Sequence, residues 1–287
     1  MLNFLTLNVR GLVSHHKQIS LQDFSTQTSA SLLFLQETNL SEESQIICPQ
    51  PFHYILNSPV QQSSGVAIAI NQEFFQEIKI KNHQNPVQGY LQVLEFTFQQ
   101  QDYHLINVYM PHNSELATEV IQKINEQLYT IKEETILILA GDWNVTLKEE
   151  DRRNCSEIRT HLAQNVSIIL NQHNLIDVWR EEHPNKKQYT FRGLHQNHPM
   201  ARLDRIYTKK KDLHLFCNTT IQPSFSDHSA VKIQLNTTKE RYHPPYWKFD
   251  NVLLKSKEYQ EIITNLITHF DEKTENLSQN INENMLI

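Results

Sequence analysis

Ile136-Leu137-Ile138-Leu139-Ala140-Gly141-Asp142-Trp143-Asn144-Val145 is the stretch on which the reading of this chain turns. Five consecutive apolar residues, too few for an ordinary helix, predict a strand covered on both faces. Gly141 closes the run, and Asp142 and Asn144, two apart in an extended segment, face the same way. A strand buried on both sides must lie inside a layered structure, and this one brings two polar side chains to its end. Strand-like runs recur at residues 2–9, 31–36, 65–70, 90–98, 103–109, 188–191, 202–208 and 229–235. Some are apolar throughout, whereas Val231, Ile233 and Leu235 alternate with Lys232, Gln234 and Asn236. Residues 17–28, 115–132 and 156–173 carry helical spacing, clearest in Leu116, Val120, Ile124, Leu128 and Ile131. Doubly buried strands, alternating strands and a few helices predict an α/β fold of two sheets packed face to face with helices outside.

With 287 residues, 39% of them hydrophobic, the chain can build one large domain or two ordinary ones. Its longest apolar runs fall far short of a membrane span and a strand pattern starts directly after Met1, so a soluble protein without a targeting segment is expected. Cys48, Cys155 and Cys217 lack metal or redox spacing and suggest a reducing compartment, nuclear or cytoplasmic. The histidines are scattered without a zinc pattern. A net charge of −6 excludes a protein that coats nucleic acid by bulk attraction. It leaves room for a nuclease, whose acidic site looks too negative when its cation is not counted. Arg152-Arg153, Lys186-Lys187 and Lys209-Lys210-Lys211 serve either solubility or contact with a phosphate backbone. Beyond Asn236 the pattern changes. Pro244-Pro245 marks a linker, and residues 255–270 read as an amphipathic helix with Tyr259, Ile262, Ile263, Leu266, Ile267 and Phe270 on one side. A compact domain is expected over residues 1–236, with a linker and helical arm over residues 237–287.

Six polar residues sit in or beside the strand runs: Asn8, Glu37, Asp142, Asn144, Asp204 and His228. An ionised Asp142 can accept a proton or align a water, and the Asn144 amide can donate to a phosphoryl oxygen without adding charge. Taken alone, Gly-Asp-Trp-Asn reads equally as a turn with a side-chain cap. Glu37 ends an apolar strand, where a carboxylate suits Mg²⁺, an ion that takes one or two protein carboxylates and fills its octahedron with water and phosphate. Asn8 could bind the metal or the phosphate. His228 could take a proton or, charged, neutralise a pentacovalent phosphate, and Asp227 shares its site if a turn lies at Ser226-Asp227-His228-Ser229. Asp204 could orient His228, or simply pair with its neighbouring arginines. Tyr109 could donate its phenol to phosphate, or be a tyrosine at the edge of the core.

The order of the motifs carries more than any one of them. Leu7-Asn8-Val9-Arg10-Gly11, Leu35-Gln36-Glu37-Thr38, Asn107-Val108-Tyr109-Met110-Pro111, Gly141-Asp142-Trp143-Asn144, Leu203-Asp204-Arg205-Ile206 and Ser226-Asp227-His228-Ser229 resemble, in sequence, the endonuclease/exonuclease/phosphatase superfamily. Asp151-Arg152, Tyr189-Thr190-Phe191 and the arm beginning Tyr246-Trp247-Lys248-Phe249 are most similar to the apurinic-endonuclease-like N-terminal endonuclease of non-LTR retrotransposons. The resemblance implies a four-layer α/β sandwich of the DNase I type and Mg²⁺-dependent cleavage of a double-stranded DNA phosphodiester, with Mn²⁺ as a substitute ion. It implies that Glu37 and Asn8 hold the metal and that Asp142 activates water. Asn144, Tyr109 and His228 would stabilise the transition state, Asp204 would set the imidazole, and Asp227 would support it or a second metal position. Thr190 and Ser226 match positions near the phosphate, and Arg152 and Lys186 would touch the DNA backbone. The arm would join a reverse transcriptase absent from this sequence, and action on chromosomal DNA would place the protein in the nucleus. Two other readings are a phosphomonoesterase of the same superfamily and a DNA-binding or assembly protein that has lost catalysis.

Overall fold

A computed structural model of the chain describes residues 1–41, 44, 52–59, 64–154, 159–193, 198–236, 256–265 and 268. The first strands are β1 (Leu2–Asn8), β2 (Leu32–Gln36), β3 (Phe52–Asn57), β4 (Val66–Asn71), β5 (Lys79–Val87), β6 (Leu91–Phe98), β7 (Gln101–Tyr109) and β8 (Ile136–Asp142). After them come β9 (Arg152–Arg153), β10 (Leu175–Asp177), β11 (Phe191–Arg192), β12 (Met200–Ala201), β13 (Asp204–Lys209), β14 (Phe216–Gln222) and β15 (Ala230–Leu235). The α-helices are α1 (His15–Thr28), α2 (Gln72–Glu77), α3 (Ser114–Thr130), α4 (Thr160–Gln172) and α5 (Val178–Glu182). Two six-stranded sheets run β14-β15-β1-β2-β4-β3 and β10-β13-β8-β7-β6-β5, and β11-β12-β9 form a small third sheet. Both large sheets are mixed: β1 pairs parallel with β2 and antiparallel with β15, and β8 pairs parallel with β7 and antiparallel with β13.

Strand periodicity assigns the layers. In β8, Ile136, Ile138 and Ala140 join Phe4, Phe34, Ile68, Leu105 and Ile233 in a core built from both sheets. Leu137 and Leu139, on the other face, pack with Val120, Ile124, Val166 and Leu170 of α3 and α4. Leu5, Leu7, Leu33 and Leu35 turn outward onto Leu21 and Phe24 of α1. The result is the expected four-layer sandwich, helix, sheet, sheet, helices, in which the central strands bury both faces. Side-chain caps start two of the outer helices, Ser14 accepting from the Lys17 N–H and Asn113 from the Leu116 N–H at 2.9 Å.

Several expectations shift. The strand expected at residues 188–191 contributes only Phe191 to β11, and the one expected at 202–208 starts at Asp204. Six strands, β3, β5, β10 and β14 of the large sheets and the two-residue β9 and β12 of the small one, have no counterpart in the sequence reading, nor do α2 and α5. The chain divides into two compact units, Met1–Glu240 and Arg241–Ile287, and residues 257–265 of the second are helical. Cys48, Cys155, Pro244, Pro245, Leu266, Ile267, Phe270 and residues 246–251 lie outside the described residues. Among the described residues no helix is long and apolar enough to cross a membrane.

Candidate active site

Five strands end in polar side chains that share the face of the inter-sheet core. Asp142 continues the series Ile136, Ile138 and Ala140; Asn8 continues Phe4; Asp204 has the parity of Ile206; Tyr109 continues Tyr103 and Leu105; and Gln36 continues Leu32 and Phe34. Register sets them side by side. Asp142 lies opposite Asp204 on β13 and opposite Tyr109 on β7, and Asn8 lies opposite Gln36 on β2.

Beneath them, Thr6, Gln36 and Asn107 form a fully buried polar layer. Gln36 Nε2 donates to Asn107 Oδ1 at 2.8 Å and to Thr6 Oγ1 at 3.0 Å, while Asn107 Nδ2 donates to the Leu35 and Ala67 carbonyls at 3.2 and 3.0 Å. The three bonds of Asn107 cross from one sheet to the other and fix the spacing on which the site stands.

Above this layer Asn8 acts as a bridge. Its Nδ2 donates to Glu37 Oε1 at 2.8 Å and to Asp142 Oδ2 at 2.9 Å, and its Oδ1 accepts the Arg10 N–H at 3.0 Å. The opposite amide orientation would aim an oxygen at two carboxylates, so the network fixes this one. Glu37 follows β2 with φ 52, an uncommon left-handed value for a non-glycine residue, held by the Gly11 N–H on its carbonyl at 2.6 Å. That turn leaves the Glu37 carboxylate half-buried beside Asn8. Asp142 Oδ1 accepts the Asn144 N–H at 3.0 Å, and Asn144 Nδ2 donates to the Met110 carbonyl at 2.8 Å, so part of the amide is engaged in holding the loop.

His228 completes the cluster. Its Nδ1 lies 2.8 Å from Asp204 Oδ2 and its Nε2 4.0 Å from Asp142 Oδ2, the second too long for a direct hydrogen bond. Asp204 therefore serves the imidazole and not the arginines that flank it. Burial favours a neutral ring, but the charges of Asp204 and Asp142 outweigh it and raise His228 to about 10. Burial and the charge of Asp204 push Asp142 up to about 6, against the pull of His228, Asn8 and the Asn144 N–H. Burial, together with the nearby Glu37 carboxylate, holds the Tyr109 phenol protonated, and its ring stacks on Tyr90 with centroids 5.8 Å apart.

Asp142, Asp204 and His228 each bring one ligand atom within 4.8 Å of the others, a geometry that could hold a cation. A protonated imidazole has no lone pair to offer, however, and Nδ1 already faces Asp204. Glu37 fits a hard cation better: it is a half-buried oxygen donor with no ion pair among the described residues.

A model of the endonuclease/exonuclease/phosphatase family matches residues 5–228, from β1 to the imidazole. The chain belongs to this family. A curated relative, the transposon TX1 uncharacterized 149 kDa protein of Xenopus laevis, is 26% identical over 266 residues. That match covers 91% of this chain but 20% of the relative, so the chain spans about a fifth of that protein's length. The AP endonuclease LMAP from Leishmania major has the same fold, with a TM-score of 0.69 and 17% identity over 81% of this chain and 86% of that one. The endonuclease domain of TRAS1, a telomere-specific non-LTR retrotransposon, superposes with a TM-score of 0.64 and 14% identity, covering 83% of this chain and all of that domain (100%).

Within this family frame, the remaining sequence candidates fall into two groups. Thr190, expected near the phosphate, is fully buried, and its Oγ1 accepts the Leu203 and Asp204 N–H groups at 2.9 and 3.1 Å. It sets the start of β13 from beneath the cluster. Ser226 shapes the turn: its Oγ donates to Asp227 Oδ1 at 3.2 Å and accepts the His228 N–H at 3.4 Å. Asp227 is ion-paired with Arg10. Arg152 leans on Glu149 at 3.6 Å, and Lys186 is exposed; neither joins the central cluster.

Three features escaped the sequence reading. Phe191 packs on the His228 ring with centroids 5.1 Å apart, and the Thr190 carbonyl accepts the Ser229 N–H at 2.6 Å. Arg159 ties the loops after β7 and β8 together, donating to the Pro111 carbonyl at 2.9 Å and the Asn144 carbonyl at 3.3 Å. A buried ionic cluster joins Asp151 and Asp177 to Arg180, Arg202 and Arg205, with Arg180 and Arg202 stacked over Trp179. These partners lie tens of residues away and leave no local signal. Asn144 does not continue the strand as its spacing suggested: β8 ends at Asp142, and Asn144, at φ 49, donates its N–H to Asp142 Oδ1 in a side-chain-capped turn.

Proposed function

We propose that this chain is a Mg²⁺-dependent DNA endonuclease that hydrolyses a phosphodiester to 3′-hydroxyl and 5′-phosphate ends. The supporting observation is the cluster's geometry: Asn8 Nδ2 bridges Glu37 Oε1 and Asp142 Oδ2 at 2.8 and 2.9 Å and His228 Nδ1 lies 2.8 Å from Asp204 Oδ2, an arrangement that raises the Asp142 carboxyl and favours a charged imidazole. The water oxygen bonds to phosphorus and the P–O3′ bond breaks. Asp142 takes the proton of the water, since its carboxylate is a stronger base than an ordinary aspartate yet largely ionised at neutral pH. His228, kept protonated by Asp204, and the Tyr109 phenol donate to the phosphoryl oxygens as charge develops there. Asn144 orders the same mouth, and the leaving 3′ oxygen departs as an alkoxide that takes its proton from solvent water to become the hydroxyl.

Glu37 would hold the cation, Mg²⁺ or Mn²⁺, with Asn8 fixing that carboxylate. When bound, the ion supplies positive charge to the phosphate and the leaving oxygen. Arg152 and Lys186 are proposed contacts to the DNA backbone. The family's apurinic and retrotransposon members and the transposon relative suggest that the cut is a nick in chromosomal target DNA, made in the nucleus to prime a reverse transcriptase joined through residues 237–287.

Nicking of supercoiled plasmid in Mg²⁺ tests the reading. Asp142→Asn and His228→Ala are each expected to slow nicking by at least about a hundredfold, the usual effect of losing a general base or a charge-stabilising group. Near-native nicking by folded variants refutes these roles. Release of inorganic phosphate without nicking points to a phosphomonoesterase, and DNA binding without cleavage to a silent binding protein.

A further inference from the structure

Two half-buried carboxylates stand at the mouth of the site, Glu37 and Asp227, and their surroundings differ. Arg10 sits on Asp227 as an ion pair. The Arg10 backbone is set in the left-handed region at φ 53 by the turn after β1, with its N–H on Asn8 Oδ1 at 3.0 Å. Lys17 fastens the same turn, its Nζ donating to the Val9 and Arg10 carbonyls at 2.8 and 2.5 Å, and it lies within the field of Asp227. From the other side, Ser226 Oγ holds Asp227 Oδ1, and the Arg192 N–H holds the Asp227 carbonyl at 3.2 Å. The Arg10 side chain is 61% exposed, so its guanidinium keeps donors free for solvent or a ligand beside Asp227.

We infer that Arg10 takes the place a second divalent ion would occupy, so that the site holds one such ion, on Glu37, and Asp227 ligates none. A cation approaching Asp227 meets a carboxylate already matched by a guanidinium and backed by an ammonium. An exposed ion pair contributes little stability by itself, so the argument rests on position: the turn keeps Arg10 beside Asp227 even when the pair opens. Arg10 is also suited to what a second ion would do for the substrate. Its planar fork of N–H donors can bind two phosphate oxygens while still touching Asp227. It cannot activate water, which leaves that step to Asp142. The inference depends on the proposed function only in taking Glu37 as the ion's ligand.

The test is a titration of the full chain with Mn²⁺ alone, free Mn²⁺ being read by electron paramagnetic resonance. The native chain and Asp227→Asn should each bind one ion with the same affinity, and Arg10→Asp, which sets two carboxylates together, should bind two. Two ions on the native chain, or a lost or weakened ion in Asp227→Asn, overturns the inference. So does an Arg10→Asp chain that still binds one. Failure of the underlying reading looks different: no Mn²⁺ on the native chain, or a Glu37→Gln chain that binds Mn²⁺ as the native one does.

Discussion

Asp151→Asn should unfold this protein more readily than any exposed substitution, because Asp151 is the centre of the buried ionic cluster. Its two oxygens take Arg202 Nε at 2.8 Å and Nη2 at 3.0 Å, a hydrogen bond from Arg180, and the charge of Arg205 at 3.7 Å. Asp151 and Arg205 are fully buried, and the Arg202 and Arg180 side chains are 3% and 8% exposed. Removing the carboxylate charge leaves Asp177 alone against the guanidinium groups. Breaking a buried pair from one side costs about 3–5 kcal/mol, because the partner charge stays desolvated. For a domain of this size about 1 kcal/mol shifts Tm by roughly 2–4 °C, so a fall on the order of 6–20 °C is expected. Despite the opposing cost of burial, the arginines hold the Asp151 carboxyl below its ordinary range. Its contribution is therefore complete at neutral pH and is lost only as pH falls through the folded value. Urea denaturation at neutral pH gives the free energy, and a double-mutant cycle with Arg202→Met isolates the pair. A loss below about 1 kcal/mol, or a cycle without coupling, would mean that water or relaxation satisfies the arginines and that the cluster does not hold β13.

Gly141→Ala is expected to leave little folded protein: a Cβ there would lie 1.9 Å from the Val108 carbonyl oxygen, across the β7–β8 pair, and overpacking against fixed backbone should exceed about 3 kcal/mol. Normal yield and a native melting curve would contradict this. Gln36→Leu leaves Asn107 Oδ1 without its 2.8 Å donor and should cost about 1–3 kcal/mol, while Gln36→Leu combined with Asn107→Leu should cost less than the sum, as read by urea midpoints. Burial pushes the His104 imidazole down to about 4, so the unfolded chain binds a proton that the folded chain refuses between that value and 6.5. Stability from His104 is full above pH 6.5 and falls by up to about 1.4 kcal/mol per unit as pH drops toward 4. His104→Gln should remove that slope. Comparing native and variant chains cancels the opposite slope of Asp142, whose raised pKa adds stability on acidification, and equal slopes in the two would refute the assignment.

The sequence by itself determined the interior of the sandwich. Strands β1, β2, β4, β6, β7, β8, β13 and β15 sit inside the sheets, bury one or both faces, and so carry runs of apolar residues that can be read without a structure. In the structure the same period of two sets Asp142 on the face of Ile136, Ile138 and Ala140. In the two large sheets the strands that were not legible, β3, β5, β10 and β14, are the four edges; β9 and β12 of the small sheet, two residues each, are too short to carry a period. An edge strand keeps one side in water and needs no apolar run; β5 reads Lys-Ile-Lys-Asn-His-Gln-Asn-Pro-Val and even tolerates a proline.

Only the tertiary structure decided which residues serve which. It set Thr190 Oγ1 under the Leu203 and Asp204 N–H groups at the start of β13, and gave Asp204 to His228 while Arg202 and Arg205 went to Asp151 and Asp177. It set Arg10 on Asp227, 217 residues away. A strand's periodicity is a local property of the chain, fixed by pleat geometry; a hydrogen-bond partner is not, because it depends on two sheets closing on each other across sequence distances that no local pattern encodes.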